Sequence, residues 1–350
     1  MRRRPFLQRH DIRSVIVFRA LQLGDMLCAV PVLRALRAAL PDARIVLTGL
    51  PWAAEFARRF SSYVNAFIAF PGHPLLPGQA VRHEELPAFY AEVCQQDYDL
   101  GLQLHGNSEV DNHIVAGFGT HTMAGFSRSE SIQTEQTLLL PYPAIGAESE
   151  RLLRLSEHLG APAVGKHLEF PLLHEDFAEL DASRLAAGLE PGRYLCIHAG
   201  ARRRGKCWPP ERFAEVADQL HAEFGLDTVL TGSADETSQT QAVASHMRSP
   251  AIEAAAPISI GAMAALMSRS RLLICNDTGV SHLAAGLGLN SVVVFKQADI
   301  ARRAPLDRLR HRCIWDPGAE RAAVVLEHAR ALLAGTAPSG QRAAGMWPYW

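Results

Sequence analysis

The sequence predicts an α/β protein with two domains, each built on a parallel sheet. Short apolar and β-branched runs alternate with helical patterns in both halves of the 350-residue chain. This alternation is typical of strands joined by crossover helices, which keep neighbouring strands parallel. The composition changes between residues 141 and 192, where prolines and glycines interrupt the patterns. We therefore predict one domain at 1–175, a second at 190–335 and a tail at 336–350.

The first domain is expected to contain at least four strands. Each is a short run rich in Val, Ile, Leu and Phe: residues 14–18, 44–48, 66–70 and 98–104. Helical patterns occupy residues 26–40, 51–60 and 108–118. Pro31 lies inside the first pattern, so that helix is either kinked or begins close to Pro31. Residues 71–87 hold four prolines and are expected to form a loop, either substrate-facing or a disordered insertion.

The second domain repeats the pattern after a helix at 148–159. Its strands are predicted at 194–198, 228–231, 271–275 and 291–295, and its helices at 211–224, from about 235, at 279–288 and at 320–333. Ligands of open parallel sheets bind beyond the carboxyl ends of the strands, where the next helix begins. Polar residues that follow the strands are therefore the candidate sites.

The composition argues against several classes of protein. A formal net charge of −1 and a pI near 7.0 provide no general attraction to nucleic acid, so an anion site must be built locally. No run approaches the roughly 18 apolar residues of a membrane span, and the basic start lacks the apolar segment of a secretory signal. The six cysteines are scattered without a C-x-x-C pair, which favours reduced thiols over disulfides or a metal site. A cytoplasmic enzyme is the expected class.

Residues Asn276 to Gly279 form a predicted strand-to-helix turn whose free N–H groups favour an anionic ligand. A second candidate is Gly200 to Lys206, which satisfies G-x-x-x-x-G-K, the phosphate loop of nucleoside triphosphatases. That alternative is disfavoured, because Cys207 replaces the magnesium-binding Ser or Thr and Trp208 to Pro210 delays the helix. Lys206, one of only three lysines, is instead expected to project from a loop toward a diphosphate. Arg202 to Arg204 either assist it or form a solvated basic turn.

Two acidic residues follow strand ends and have competing interpretations. Glu236 comes after Thr231-Gly232, where a carboxylate can accept hydrogen bonds from ribose hydroxyls. The same segment also fits an ordinary helix cap formed by Ser233 or Asp235. Asp25 lies in the loop after the first strand and is either a cap or a general base. That loop lacks G-x-G-x-x-G, which argues against a dinucleotide oxidoreductase.

Together these motifs resemble glycosyltransferase family nine, the bacterial heptosyltransferases, from about residue 13 to about residue 300. The amino-terminal part of the resemblance is carried by Leu23-Gly24-Asp25, Pro31 to Leu36 and Pro41 to Ile45. The carboxyl-terminal part follows in the family's order: His198 to Gly200, Lys206 to Pro209, Glu211 to Phe213, Thr231-Gly232 with Glu236, and Asp277 to Ala285.

The resemblance implies a GT-B fold, in which two Rossmann-like domains with parallel sheets face a central cleft. It also implies an inverting transfer of a heptose-like sugar from an ADP-sugar to a saccharide or lipid-linked saccharide, without a metal or other cofactor. On this basis Asp25 takes the proton of the acceptor hydroxyl, from the side opposite to the leaving nucleoside diphosphate. Glu236 would hold the donor ribose.

The donor-binding residues implied by the resemblance are Gly200, Arg202, Lys206, Glu236, Asp277, Thr278, Gly279, His282 and Lys296. Lys206 and the N–H groups around Thr278 and Gly279 would stabilise the departing diphosphate. Asp277 and His282 would organise that loop.

Two segments depart from the family's pattern. Ala201-Arg202 stands where many members have small hydroxyl residues, and Phe295-Lys296-Gln297 replaces a commoner Phe-Gly-Pro-Thr-like run. Lys296 is either an additional phosphate contact or a solvated lysine. These departures leave the donor sugar and the nucleotide open.

Two other functions remain open: a nucleotide-sugar epimerase of the same fold, which needs no acceptor, and a non-catalytic nucleotide-sugar-binding protein. The resemblance implies a lipid-linked partner at the inner face of the cell membrane. The basic residues Arg2, Arg3, Arg4, Arg9 and Arg13 are consistent with peripheral association with anionic lipid.

Overall fold

The protein consists of two compact α/β units. The computed structural model describes residues 5–76, 79–128, 130–201 and 203–335. The chain divides into Met1–Leu168 and Glu169–Trp350, and each unit contains a sheet of its own. The predicted α/β class is therefore confirmed.

Within the described residues, the sheet of the amino-terminal unit has seven strands in the order β3-β2-β1-β4-β5-β7-β6. The strands are β1 (Ser14–Phe18), β2 (Arg44–Gly49), β3 (Ala66–Ala69), β4 (Leu100–Gln103), β5 (Thr122–Ser127), β6 (Ile132–Gln133) and β7 (Thr137–Pro141). Every pair is parallel except β6 with β7. The helices are α1 (Leu23–Leu27), α2 (Val30–Ala39), α3 (Ala53–Arg59), α4 (Leu86–Gln95), α5 (Glu109–Ala116) and α6 (Glu148–Leu159).

In the described part of the carboxyl-terminal unit, the sheet has six strands, all parallel, in the order β10-β9-β8-β11-β12-β13. The strands are β8 (Tyr194–His198), β9 (Asp227–Gly232), β10 (Ala251–Ala255), β11 (Leu273–Asn276), β12 (Ser291–Phe295) and β13 (His311–Trp315). The helices are α7 (His174–Ser183), α8 (Pro210–Phe224), α9 (Thr237–His246), α10 (Ile260–Ser268), α11 (Gly279–Leu287), α12 (Ile300–Arg303) and α13 (Ala322–Ala334).

In both sheets the strand order reverses beside the first strand of the unit. β1 lies between β2 and β4, and β8 lies between β9 and β11. At such a reversal the connections on either side run in opposite directions, which leaves a crevice at the carboxyl ends of the strands. The segments that follow β1, β4, β8 and β11 are therefore the places where each unit can hold a ligand.

Aromatic side chains pack directly beneath these segments. Phe18, the last residue of β1, contacts Phe70 and Phe118 edge-to-face, with ring centroids 5.0 and 6.0 Å apart. Trp208 and Phe213 pack edge-to-face in the other unit at 5.0 Å. All five side chains are fully buried or nearly so. Each candidate site therefore rests on a close-packed core that resists displacement.

All eight predicted strands are present, and the helix predicted within 26–40 begins close to Pro31, which is one of the two alternatives for this segment. The chain forms a single helical turn, α1, and α2 begins at Val30. Pro31 then lies in the first turn of α2, where its missing N–H breaks no hydrogen bond. As a consequence, Asp25 belongs to a one-turn helix and does not lie in a loop.

The predicted loop at 71–87 is too long, because a 3-10 turn at His83–Glu85 leads into α4 with Pro87 in its first turn.

The sequence patterns failed to predict β5, β6, β7, β10 and β13, and they missed α4, α7, α10 and α12. The miss at α10 has a clear cause. Seven of its nine residues are buried, so the helix lacks the polar face that creates a period. Within the described residues, no helix is both long enough and apolar enough to cross a membrane.

Candidate functional site

One buried side chain anchors both ends of the loop that carries Lys206. Asn276 is the last residue of β11 and has no exposed surface. Its Nδ2 donates to the carbonyl oxygen of Ala199 at 2.7 Å, and its Oδ1 accepts the N–H of Trp208 at 2.8 Å. The two contacts use the nitrogen and the oxygen of the same side-chain amide, the first as a donor and the second as an acceptor. Asn276 was expected in the turn, and its position in the strand is what allows it to span the loop.

The far end of the same loop is fixed to the start of α13. The indole N–H of Trp208 donates to Oδ2 of Asp316 at 2.8 Å. Asp316 also accepts the backbone N–H groups of Glu320 and Arg321, at 3.0 and 3.1 Å. Sequence analysis gave Trp208 and Asp316 no role in the site. The signal in the sequence that could have indicated a role for Trp208 is its position beside two prolines, just before a helix.

Lys206 meets Asp277 where β8 and β11 end. Lys206 closes a 3-10 turn, and its Nζ lies 2.6 Å from Oδ2 of Asp277. The lysine side chain is 26% exposed and the aspartate 7%. Lys296 follows β12, is half-buried, and donates from Nζ to the carbonyl oxygen of Cys207 at 3.3 Å. The structure thus brings Lys206, Asp277 and Lys296 together around one loop.

The start of α11 lies directly after Asp277. The hydroxyl of Thr278 accepts the N–H of Val280 at 3.4 Å, and the carbonyl oxygen of Thr278 accepts the Ser281 hydroxyl at 2.8 Å. Helix α11 begins at Gly279, and His282 is buried within it. The first N–H groups of a nine-residue helix and its dipole favour an anion at this end.

The carboxylate of Glu236 is shared between a helix cap and the end of β8. Its Oε2 accepts the N–H and the hydroxyl of Ser233 at 2.9 and 3.1 Å, so the cap is present. Its Oε1 lies 3.8 Å from Nε2 of His198. A Cβ on Gly200 would lie 2.0 Å from that oxygen, so only glycine permits this approach. Burial lowers the pKa of His198, and Glu236 opposes that effect.

Asp25 lies at the corresponding place in the amino-terminal unit. It is partly exposed in α1, just after β1. The buried Arg19 donates from Nε to the Asp25 carbonyl oxygen at 2.7 Å and from Nη1 to the Leu104 carbonyl oxygen. His105 follows β4, and its Nδ1 accepts the N–H of Ala20 at 3.2 Å. The strand reversal of this sheet thus gathers a carboxylate, a guanidinium and an imidazole.

His105 is held as a neutral ring. Burial lowers its pKa to about 4, with a smaller lowering from Arg19 and opposing contributions from Asp111 and Asp25. Because Nδ1 accepts a hydrogen bond, the proton of the neutral ring is assigned to Nε2. The ring stacks on Phe18, with centroids 5.1 Å apart. Sequence analysis had assigned no role to His105 or Arg19, although both follow strand ends.

Some predicted features lie outside the described residues: Arg202, the arginines at positions 2 to 4 and the tail at 336–350. Among the residues that the structure describes, no group of three or more His, Cys, Asp or Glu could hold a metal ion.

Solved structures identify the fold. The glycosyl transferase family 9 protein of Veillonella parvula superposes with a TM-score of 0.78 at 21% identity, over 93% of this chain and 99% of that one. The ADP-heptose lipopolysaccharide heptosyltransferase II of E. coli gives 0.71 at 22% identity, over 92% and 98%. The E. coli heptosyltransferase WaaC, solved with ADP, gives 0.70 at 18% identity, over 91% and 99%. The fold is therefore that of a GT-B glycosyltransferase, as the resemblance implied.

The family itself follows from the sequence. The family described as glycosyltransferase family 9 (heptosyltransferase) matches residues 88–325. The chain belongs to glycosyltransferase family 9, the heptosyltransferase family, and is a glycosyltransferase.

Two named relatives agree with this assignment. Lipopolysaccharide heptosyltransferase 1 of Pseudomonas aeruginosa is 24% identical over 303 residues, which cover 80% of this chain and 78% of that protein. Lipopolysaccharide heptosyltransferase 3 of Escherichia coli is 29% identical over 109 residues, or 30% of this chain. That second match spans about a third of the relative's length, 32%.

Proposed function

We propose that this enzyme transfers a heptose-like sugar from an ADP-sugar to a saccharide or lipid-linked saccharide, with inversion and without a metal. The observation that carries the proposal is the Lys206–Asp277 pair beside the start of α11, at the strand reversal of the carboxyl-terminal sheet. This arrangement offers one compact cation and the positive end of the α11 dipole to a diphosphate. The choice of ADP is supported by structural neighbours solved as an ADP-heptose enzyme and with ADP.

Each donor-site residue has a chemical part in this proposal. Lys206 and the N–H groups near Thr278 and Gly279 bind the diphosphate and neutralise the charge that develops as it leaves, in place of a metal. Asp277 holds Lys206 in position. Oε1 of Glu236, the carboxylate oxygen that the Ser233 cap leaves available, accepts a ribose hydroxyl.

The remaining donor-site residues act on the geometry of the loop. Gly200 allows the carboxylate of Glu236 to approach the end of β8. Lys296 supports the Lys206 loop through the Cys207 carbonyl, and His282 is buried within α11. Arg202, between Gly200 and Lys206 in sequence, remains a proposed phosphate contact.

In the proposed transfer step, Asp25 accepts the proton of the acceptor hydroxyl. The acceptor hydroxyl oxygen attacks the anomeric carbon, the bond from that carbon to the diphosphate oxygen breaks, and the hydroxyl proton passes to the Asp25 carboxylate. Attack from the face opposite to the leaving group inverts the configuration. This requirement is consistent with a base and a diphosphate site carried by different units.

The acceptor and the location complete the proposal. The relatives are named as lipopolysaccharide heptosyltransferases, which supports a saccharide acceptor linked to lipid at the inner face of the cell membrane. Peripheral association with anionic lipid and a cytoplasmic location are part of this proposal.

Two measurements test it. Thermal unfolding is followed with ADP-, UDP- and GDP-sugars, because a ligand at 100 times its dissociation constant stabilises the folded state by about 2.7 kcal/mol. We expect the largest shift with an ADP-sugar, and its absence would overturn the choice of nucleotide. Asp25→Asn should lower kcat by about 100- to 10,000-fold while the donor-induced shift persists.

The same experiments separate the rival functions. Conversion of the donor to an isomer without any acceptor would identify an epimerase. Donor binding by the wild type without transfer to any supplied acceptor would identify a binding protein. Full transfer by Asp25→Asn would show that another group takes the proton.

A further inference from the structure

Arg19 connects three elements around the proposed base. It follows β1 directly and has no exposed surface. Its Nε donates to the Asp25 carbonyl oxygen at 2.7 Å, its Nη1 donates to the Leu104 carbonyl oxygen, and its Nη2 lies 3.9 Å from Oε1 of Glu148. One guanidinium therefore contacts α1, the residue after β4 and the first residue of α6.

Helix α1 needs such external support. It has five residues, and Gln22 at its N-cap makes no side-chain capping bond. Its backbone bonds include Met26 N–H to the Gln22 carbonyl oxygen at 2.9 Å and Cys28 N–H to the Gly24 carbonyl oxygen at 3.1 Å. A single turn is unstable in isolation, because ordering it costs more than one or two hydrogen bonds return. The orientation of Asp25 is therefore set by tertiary contacts, and the contact to its own carbonyl oxygen comes from Arg19.

The counter-charge of Arg19 is fixed as well. Glu148 is buried, and its Oε1 accepts the hydroxyl of Tyr142 at 2.7 Å. A planar guanidinium can send N–H groups in two directions and still face a carboxylate, whereas a lysine ammonium is a single point on a flexible stem. The contacts of Arg19 therefore depend on the planar shape of its guanidinium group and not on its charge alone.

We propose that Arg19 is the positioning residue of the base, which fixes the turn that carries Asp25 against the end of β4 and the start of α6. This inference rests on the proposed role of Asp25. Arg19 contacts the Asp25 backbone and acts on the transfer step through that residue. Loss of the contact displaces the carboxylate and slows the chemical step, because a misplacement of about 1 Å can cost about 100-fold in rate.

The test uses Arg19→Lys, which keeps a positive charge opposite Glu148 and removes the planar guanidinium group. We expect kcat to fall by about 100-fold, while the KM for the donor and the thermal shift caused by an ADP-sugar stay within about threefold of the wild type. Retention of kcat with only a lower melting temperature would overturn the proposal. A loss confined to donor affinity would overturn it too.

Arg37→Lys is the matched control. Arg37 likewise donates to backbone carbonyl oxygens of the amino-terminal unit: those of Leu40, Pro41, Ala43 and Tyr63, at 3.1, 3.0, 2.8 and 3.2 Å. It lies in the last turn of α2, away from the strand ends that carry Asp25. We expect this variant to lower the melting temperature and leave kcat unchanged. An equal fall in kcat in both variants would assign Arg19 a purely structural role.

A double-mutant cycle separates this inference from the proposed function. If Arg19 acts through Asp25, then Arg19→Lys in an Asp25→Asn background should lower the residual rate by less than about threefold. A further loss of about 100-fold in that background would show that Arg19 acts independently of Asp25. If Asp25→Asn alone retains full activity, Asp25 is not the base and the proposed function is wrong at that point. This outcome is distinguished from a failure of the inference about Arg19, because it is read from the single variant.

Discussion

The ammonium of Lys206 lies 2.6 Å from the carboxylate of Asp277, and the aspartate is almost entirely buried. This pair joins the loop after β8 to the turn after β11. A diphosphate bound at the start of α11 would compete with Asp277 for the same ammonium. In the proposed donor site, Asp277 would hold the lysine ready at a cost in the net affinity for phosphate, since the ammonium would divide its attraction between two anions.

Replacement of Lys206 by Met should weaken ADP binding. A hydrogen bond to a charged group is worth about 1.5–3 kcal/mol, which corresponds to about 10- to 100-fold in the dissociation constant. The constant is measured by calorimetry at two salt concentrations, and the salt dependence should decrease in the variant. Lys166→Met is the control, because Lys166 forms a comparable pair with Glu150 at 2.9 Å on an exposed surface of the other unit. Equal affinities for Lys206→Met and the wild type would remove Lys206 from the donor site.

Replacement of Asn276 by Leu should destabilise the carboxyl-terminal unit and weaken donor binding together. The change leaves the Ala199 carbonyl oxygen and the Trp208 N–H buried without a partner, at about 1–3 kcal/mol each. Urea unfolding measures the loss, and ADP calorimetry measures the effect on the loop.

Asn65→Leu serves as the control for Asn276. Its Oδ1 accepts the Ile45 N–H at 2.8 Å and an N–H of Arg37 at 2.6 Å, in the other unit. This variant should lose stability and keep its affinity for ADP. Normal ADP affinity in a destabilised Asn276→Leu protein would show that the loop does not depend on this anchor.

The sequence could predict the class of fold and the strand ends that carry the candidate sites, because both follow from local patterns. Strands such as β8 and β11 are continuous apolar runs, and the residues after them must lie at one edge of a parallel sheet. The pairing of Lys206 with Asp277 spans 71 positions and depends on β8 and β11 becoming neighbours. No local sequence pattern determines such a strand order.

The roles of Arg19 and Asn276 could not be predicted from the sequence for a different reason. Arg19 and Asn276 are polar residues whose positions beside apolar runs resemble ordinary strand ends. Their importance comes from complete burial, because a buried polar side chain finds its hydrogen-bond partners within the protein. Burial is a property of the assembled fold, so residue type alone gave no indication of it.

Replacement of Gly200 by Ala should displace the carboxylate of Glu236. The added Cβ would lie 2.0 Å from Oε1, and the side chain must rotate away from the end of β8. If this oxygen holds the ribose, ADP should bind about 10-fold more weakly, which corresponds to the loss of roughly one hydrogen bond. Gly335→Ala is the control, since its Cβ would meet nothing closer than 3.6 Å. An unchanged affinity of Gly200→Ala for ADP would leave Glu236 with the capping role alone.

The stability of the carboxyl-terminal unit should fall as the pH is lowered through the range from about 6.5 to about 4. Burial lowers the pKa of His311 from its ordinary 6.5 to about 4, and Nδ1 of this ring contacts the Ser291 hydroxyl at 2.9 Å. In that range the unfolded chain binds a proton that the folded protein does not, so acid favours unfolding. At pH 5 the loss from this one group is about 2 kcal/mol.

His311→Gln tests the assignment, because glutamine cannot titrate in this range. Urea unfolding at pH 7 measures the structural effect of the substitution, and the change between pH 7 and pH 5 measures the proton linkage separately. We expect the variant to lose about 2 kcal/mol less than the wild type over that interval. The same pH dependence in both proteins would mean that His311 is protonated equally in the folded and unfolded states. The acid sensitivity would then belong to other groups, and the contact with Ser291 would have no part in it.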